Sequence, residues 1–123
     1  MDTINNQLTF EIIGKCYEVH NNLGKGFLEV VYKDALEIEF KKSGIPYQRE
    51  VKYSVNYKGV LLNHSFYADF VVYDDIILEV KATSGIIEEY YAQTINYLKV
   101  SQNKLALIVN FGTNRLETKR VIL

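Results

Sequence analysis

Asp69, Glu79 and Lys81 stand in the stretch YADFVVYDDIILEVKA, where nearly every other residue suits a buried β-hairpin. Charged side chains embedded in apolar strands cost free energy unless something pairs with them. Two carboxylates and a lysine have an obvious use. Mg²⁺ prefers oxygen ligands and is typically held by one or two carboxylates together with waters and phosphate oxygens. Asp69 and Glu79 could supply the carboxylates for Mg²⁺ or Mn²⁺, and the Val80 backbone carbonyl a third oxygen. Lys81, one pleat along, could orient an attacking water and offset charge developing at phosphorus. Hydrolysis of a phosphodiester needs little else.

The pattern Glu-x-Lys is weak by itself, because it occurs four times: Glu39-Lys41, Glu50-Lys52, Glu79-Lys81 and Glu117-Lys119. The first reads as a solvated helix end, the second as the exposed face of a strand, and the last as a polar edge. Only Glu79-Lys81 follows an apolar run, Ile76-Ile77-Leu78, with an aspartate ten residues upstream on the strand expected beside it. The competing reading is an amphipathic strand with Glu79 and Lys81 in water, since most surface carboxylates do no chemistry. In IIEEYYAQTINYLK, Gln93 and Tyr97 lie one helical turn apart, off the stripe Ile87, Tyr91, Ile95 and Leu98. They could hold a phosphate or a lysine head, or simply form a wet helix face.

The elements that must position these residues follow from periodicity. Leu8, Ile12, Ile13, Cys16, Val19 and Leu23 predict a helix over roughly 7–22. NLGKGF is a glycine-bearing turn that ends it. A second helix, about 28–42, carries Leu28, Val31, Ala35, Leu36, Ile38 and Phe40. From Tyr47 the period is two, with Val51, Tyr53, Val55 and Tyr57 alternating against polar residues. Lys58-Gly59 turns the chain, strands follow over 61–72 and 76–81, and a helix over about 85–102 crosses to a buried strand in KLALIVNF. NRLETKRVIL closes the domain as an edge strand. The order αα-βββ-α-β(β) predicts an α/β mixed β-sheet flanked by helices, its last buried strand parallel to an earlier one. Register then decides whether a site can form. A two-residue turn at Asp74-Asp75 would put Asp69 opposite Val80, on the face away from Glu79. A shared face requires an odd loop, such as Tyr73-Asp74-Asp75 or Asp74-Asp75-Ile76, or a bulge.

With 123 residues, 48% apolar and 24% charged, the chain fits one domain spanning 1–123. No apolar run approaches the ~20 residues that cross a bilayer, and MDTINNQLTF has no leader pattern. One cysteine excludes an internal disulfide and a cysteine-rich zinc site. A cytoplasmic protein without membrane attachment is expected. A net charge of −1 argues against tight non-specific binding of nucleic acid, though not against a local basic groove.

Asp69, Glu79-Val80-Lys81 and Gln93-x-x-x-Tyr97 together resemble the PD-(D/E)xK nuclease superfamily and the Gln/Tyr helix of its RecB-like branch. GFLEVVY, with Gly26, Glu29 and Tyr32, is similar to the motif of the small bacterial GxxExxY proteins. The likeness runs on through YKG, EVKA, QTINYLK and LIVNFG, over nearly the whole chain. It implies a restriction-endonuclease-like fold and a Mg²⁺-dependent nuclease hydrolysing DNA or RNA. It also makes Glu29 the first acid of the site, bound to the cation directly or through water, and brings His20 and Tyr32 near it. From the residues alone, Glu29 is a helix-surface carboxylate and His20 a hydrogen-bonding residue. Ala68 stands where the superfamily has proline, a change with little effect because proline is not a ligand. The alternative is a non-catalytic module of nuclease fold that binds nucleic acid or a protein partner. A homodimer, or a partner carrying the DNA-binding surface, would also suit a chain this small.

Overall fold

Helical spacing gives way to period-two alternation at Tyr47, and the elements follow that change. The structure, a computed structural model, describes residues 6–123; residues 1–5, the start of the segment read above for a leader, lie outside the described residues. In chain order the elements are α1 (Asn6–Leu23), α2 (Glu29–Ser43), β1 (Tyr47–Tyr57), β2 (Val60–Val72), β3 (Ile76–Lys81), α3 (Glu88–Ser101), β4 (Leu105–Asn110) and β5 (Glu117–Ile122). The five strands lie in one sheet in sequence order. Consecutive hairpins make β1, β2 and β3 antiparallel, and the α3 crossover sets β4 parallel to β3. β5 returns antiparallel on β4. This is the α/β arrangement that the periodicity predicts. No described helix is long and apolar enough to cross a membrane.

Each face of the sheet carries a core. Ile12 and Cys16 of α1 and Leu36 and Phe40 of α2 pack on Phe70, Leu78, Val80, Leu107 and Val109. Leu98 of α3 packs on Ala68, Ile77, Ala106, Ile108 and Val121. Strands β3 and β4, covered on both sides, are apolar for that reason except at Glu79, Lys81 and Asn110. The helical stripes differ from expectation in detail. Leu28 and Ile38 are exposed, and α2 instead buries Tyr32, Lys33, Leu36 and Phe40. Ile87 is exposed ahead of α3, whose buried residues are Thr94 and Leu98.

The sheet exchanges its faces at Glu50 and Asp69. Tyr47 packs against Phe40 and Phe70 on the α2 side, whereas Val51 and Tyr53, also odd-numbered, pack on the α3 side. Regular alternation would keep all three on one face. The break falls at Glu50, whose φ of 57° is left-handed. β2 makes the matching change: Phe70 and Val72 belong to one core, Ala68 to the other. Arg49 pairs with Phe70 and Val51 with Ala68, so Glu50 and Asp69 fall between them, at the same step of the hairpin.

Candidate active site

The β2–β3 register decides what Asp69 can reach. Phe70 pairs with Leu78, Val71 with Ile77 and Val72 with Ile76. Tyr73-Asp74-Asp75 is therefore a three-residue loop, with Tyr73 and Asp74 in left-handed conformation. The next step of the same register sets Asp69 beside Glu79. There the backbone ladder stops and the carboxylates replace it. The Asp69 N–H donates to Glu79 Oε2 at 3.1 Å, and the Val80 N–H donates to Asp69 Oδ2 at 2.8 Å. Each acid is thus fixed by an amide next to the other, at a place where strands β2 and β3 would otherwise continue pairing.

Glu79 is not a surface residue: it is 4% exposed, which rules out the amphipathic strand with a solvated glutamate. Burial pushes its pKa up to about 8, the neighbouring Asp69 charge adds to the rise, and the Asp69 N–H, Lys81 and Lys33 pull against it. Glu29 opens α2, where the helix dipole favours an acid. Its pKa is also raised, by burial and then by the Asp69 charge, with Lys81, Lys33 and the Ala82 N–H opposing. Glu29, Asp69 and Glu79, from α2, β2 and β3, thus share one electrostatic neighbourhood with Lys81. The Lys81 ammonium lies 4.5 Å from the centroid of the Tyr90 ring. Tyr97 stands half-buried, its ring stacked on Phe66 at 4.0 Å. Burial, then the Glu79 and Asp69 charges, raise its hydroxyl to about 12.

The end of β3 that carries Lys81 is held from β4. The Phe111 N–H donates to the Lys81 carbonyl at 2.8 Å. Asn110, fully buried, accepts from the Thr83 N–H at 2.9 Å and donates to the Thr83 carbonyl at 3.0 Å. Gly112 is required beside it, since a Cβ there would lie 2.2 Å from the Thr83 carbonyl oxygen. The stretch LIVNFG therefore serves to seat Lys81.

Other expected residues lie elsewhere. Gln93 is exposed on α3, one turn before Tyr97. His20 Nε2 bonds the Thr113 carbonyl at 3.0 Å, and its ring tilts against Phe111, so it ties α1 to the loop after β4. The Tyr32 hydroxyl donates to the Gly24 carbonyl at 2.6 Å and accepts from the Phe27 N–H at 3.3 Å. It braces the loop before Glu29 and does not face the acids.

Two residues that motif spacing does not single out join the cluster. The Lys33 ammonium bonds Asp69 Oδ1 at 2.9 Å and also Glu50. Burial pulls its pKa down, but its hydrogen bonds to Glu50 and Asp69 outweigh that and hold it above the ordinary lysine value. Glu50 belongs to a Glu-x-Lys pair that reads as an exposed strand face; both residues are exposed, but the bulge in β1–β2 also brings Glu50 to Lys33 and Asp69. Asn56 pairs with Leu61 but Ser54 with Ser65, so β2 gains two residues and Glu50 reaches Asp69 rather than Tyr67. The one signal in the sequence is Lys33 itself, a lysine one turn after Glu29 on the arc that Leu36 and Phe40 bury.

The donor set suits a hard divalent cation: carboxylate oxygens, one of them on an acid whose pKa burial and the Asp69 charge raise. Among the described residues, however, no three His, Cys, Asp or Glu side chains are arranged to hold an ion as they stand. A cation already sits on Asp69, and it is Lys33.

A family model described as the PD-(D/E)XK nuclease superfamily matches residues 6–121. No curated protein matches the chain. Among solved structures, the crystal structure of SSO0001 is similar with a TM-score of 0.61 at 18% identity, over 75% of this chain and 48% of that one. The likeness supports the fold, a mixed sheet of restriction-endonuclease-like type, and this chain spans less than half of that protein's length.

Proposed function

We propose, from the premise that the chain belongs to the PD-(D/E)XK nuclease superfamily, that it is a Mg²⁺- or Mn²⁺-dependent nuclease hydrolysing phosphodiester bonds in DNA or RNA. The observation that carries this reading is the pair Asp69 and Glu79, fixed by the Val80 and Asp69 amides respectively at the point where the β2–β3 ladder ends. Asp69 and Glu79 would hold the cation, with Glu29 and the Val80 carbonyl completing its protein oxygens. Bound there, it would supply Lewis-acid polarisation of the phosphoryl group and a more acidic water.

The remaining chemistry belongs to the chain. Glu79 would have to lose its proton to hold a cation, whose charge would offset the repulsion between the two ionised carboxylates. Lys81, held against Tyr90, orients the nucleophilic water and offsets negative charge building on the phosphoryl oxygens. Tyr97 keeps its proton and can donate to a phosphate oxygen, with Gln93 beside it on the open face of α3. The spacing of Gly26, Glu29 and Tyr32 favours the GxxExxY branch, in which Tyr32 would clamp the loop that leads Glu29 into α2. The free, buried Cys16 suits a reducing cytoplasm.

A second reading, a nuclease-fold module that binds nucleic acid or a protein partner without cutting, is favoured by Lys33 already neutralising Asp69. Incubation with single- and double-stranded DNA and RNA, with Mg²⁺ or Mn²⁺, separates the two. Cleavage that needs the metal and is lost in Asp69→Ala supports the nuclease. Binding without cleavage supports the module, and equal cleavage by both proteins identifies a contaminant.

A further inference from the structure

Lys33 places an ammonium among acids, with only 10% of its side chain exposed. A lysine buried this far stays charged only with partners. Its two partners differ. Asp69 is 15% exposed and its Oδ2 is fixed by the Val80 N–H. Oδ1, the oxygen that does not accept from Val80, is the one that Lys33 holds. Glu50 is 48% exposed and reaches solvent, so an ammonium that leaves Asp69 still has a carboxylate within reach. Glu50 owes this position to its left-handed backbone and to the β1–β2 bulge, two irregularities in an otherwise ordinary hairpin.

We infer that Lys33 is a built-in counter-cation of the acid cluster, which frees Asp69 Oδ1 for a divalent cation by withdrawing onto Glu50. The inference rests on the divalent-cation reading of Asp69 and Glu79, and makes Lys33 and Glu50 positioning residues of that site. A plain brace between α2 and the sheet would leave Lys33 on Asp69 whether or not a cation binds.

The test uses the whole chain, labelled with ¹⁵N in its amides and lysine ammonium groups, and titrated with Mg²⁺. The Asp69 and Val80 amides report occupancy of the site, and the Lys33 ammonium reports its own partner. The expected result is a Lys33 shift that tracks the two amides. Lys33→Met, which keeps the aliphatic stem, should bind Mg²⁺ on the order of tenfold more tightly, by removing one charge-assisted competitor for Asp69. Glu50→Gln should bind it more weakly, because the displaced ammonium loses its refuge. Amides that respond to Mg²⁺ while the Lys33 signal stays fixed, or unchanged affinity in Lys33→Met, would overturn the inference and leave the cation site standing. Amides that do not respond at all would remove the cation site, and this inference with it.

Discussion

Replacing Glu79 with glutamine should remove the fall in stability that the metal-free protein shows as pH rises from about 4.5 to 8 through this one group. In the unfolded chain Glu79 ionises near its ordinary 4.5, whereas in the fold it holds its proton to about 8. Below pH 4 both states are protonated and the group adds no pH dependence. Between about 4.5 and 8 the unfolded state loses the proton and the native state keeps it, so the native state binds more protons and stability falls as pH rises. Above about 8 both are ionised and the loss levels off. At about 1.4 kcal/mol per pKa unit, the full cost approaches 5 kcal/mol. That is a large share of the 5–15 kcal/mol typical of a domain.

Urea unfolding in the presence of a chelator, at pH 5.5 and pH 8.5, measures this directly. The wild type should be several kcal/mol less stable at the higher pH. Glu79→Gln, whose amide oxygen can still accept from the Asp69 N–H, should change far less and exceed the wild type at pH 8.5. Millimolar Mn²⁺ should restore the wild type at pH 8.5, where a cation replaces the proton, and leave Glu79→Gln nearly unmoved. An equal pH slope in the two proteins would refute the reasoning.

Lys81→Met should cut turnover at least about a hundredfold while Mn²⁺ still raises the melting temperature, because the lysine serves the transition state and not the cation; parallel loss of both effects would contradict that division. Gly112→Ala should destabilise the fold by about 1–3 kcal/mol in urea unfolding, since its Cβ meets the Thr83 backbone, and should lower activity by shifting the end of β3. Tyr32→Phe should cost about 1 kcal/mol through loss of the Gly24 and Phe27 bonds. It should reduce kcat more than the affinity for substrate, because it moves Glu29 and not a binding surface.

Much of this was legible because the relevant signals are local. The change of period at Tyr47 marks the passage from helices to sheet, and the odd β2–β3 loop follows from requiring Asp69 and Glu79 to share a face. What escaped depends on irregular backbone. Counted regularly from the Lys58-Gly59 turn, Glu50 lies opposite Tyr67; only the bulge between Ser54 and Asn56 brings it to Asp69. Lys33 escaped because an apolar-stripe reading admits no buried lysine, and its burial depends on those two distant carboxylates. Type and spacing point Leu28, Ile38 and Ile87 to the core, but the helices turn slightly different arcs to the sheet and leave them exposed.

The most direct test of the central claim is a crystal grown with Mn²⁺ and measured for anomalous scattering. One strong manganese peak is expected, bonded to the carboxylates of both Asp69 and Glu79, with Lys81 beside it. A structure with Mn²⁺ bound only at other sites, and Asp69 and Glu79 still held by the Val80 and Asp69 amides with Lys33 on Asp69, would contradict that reading.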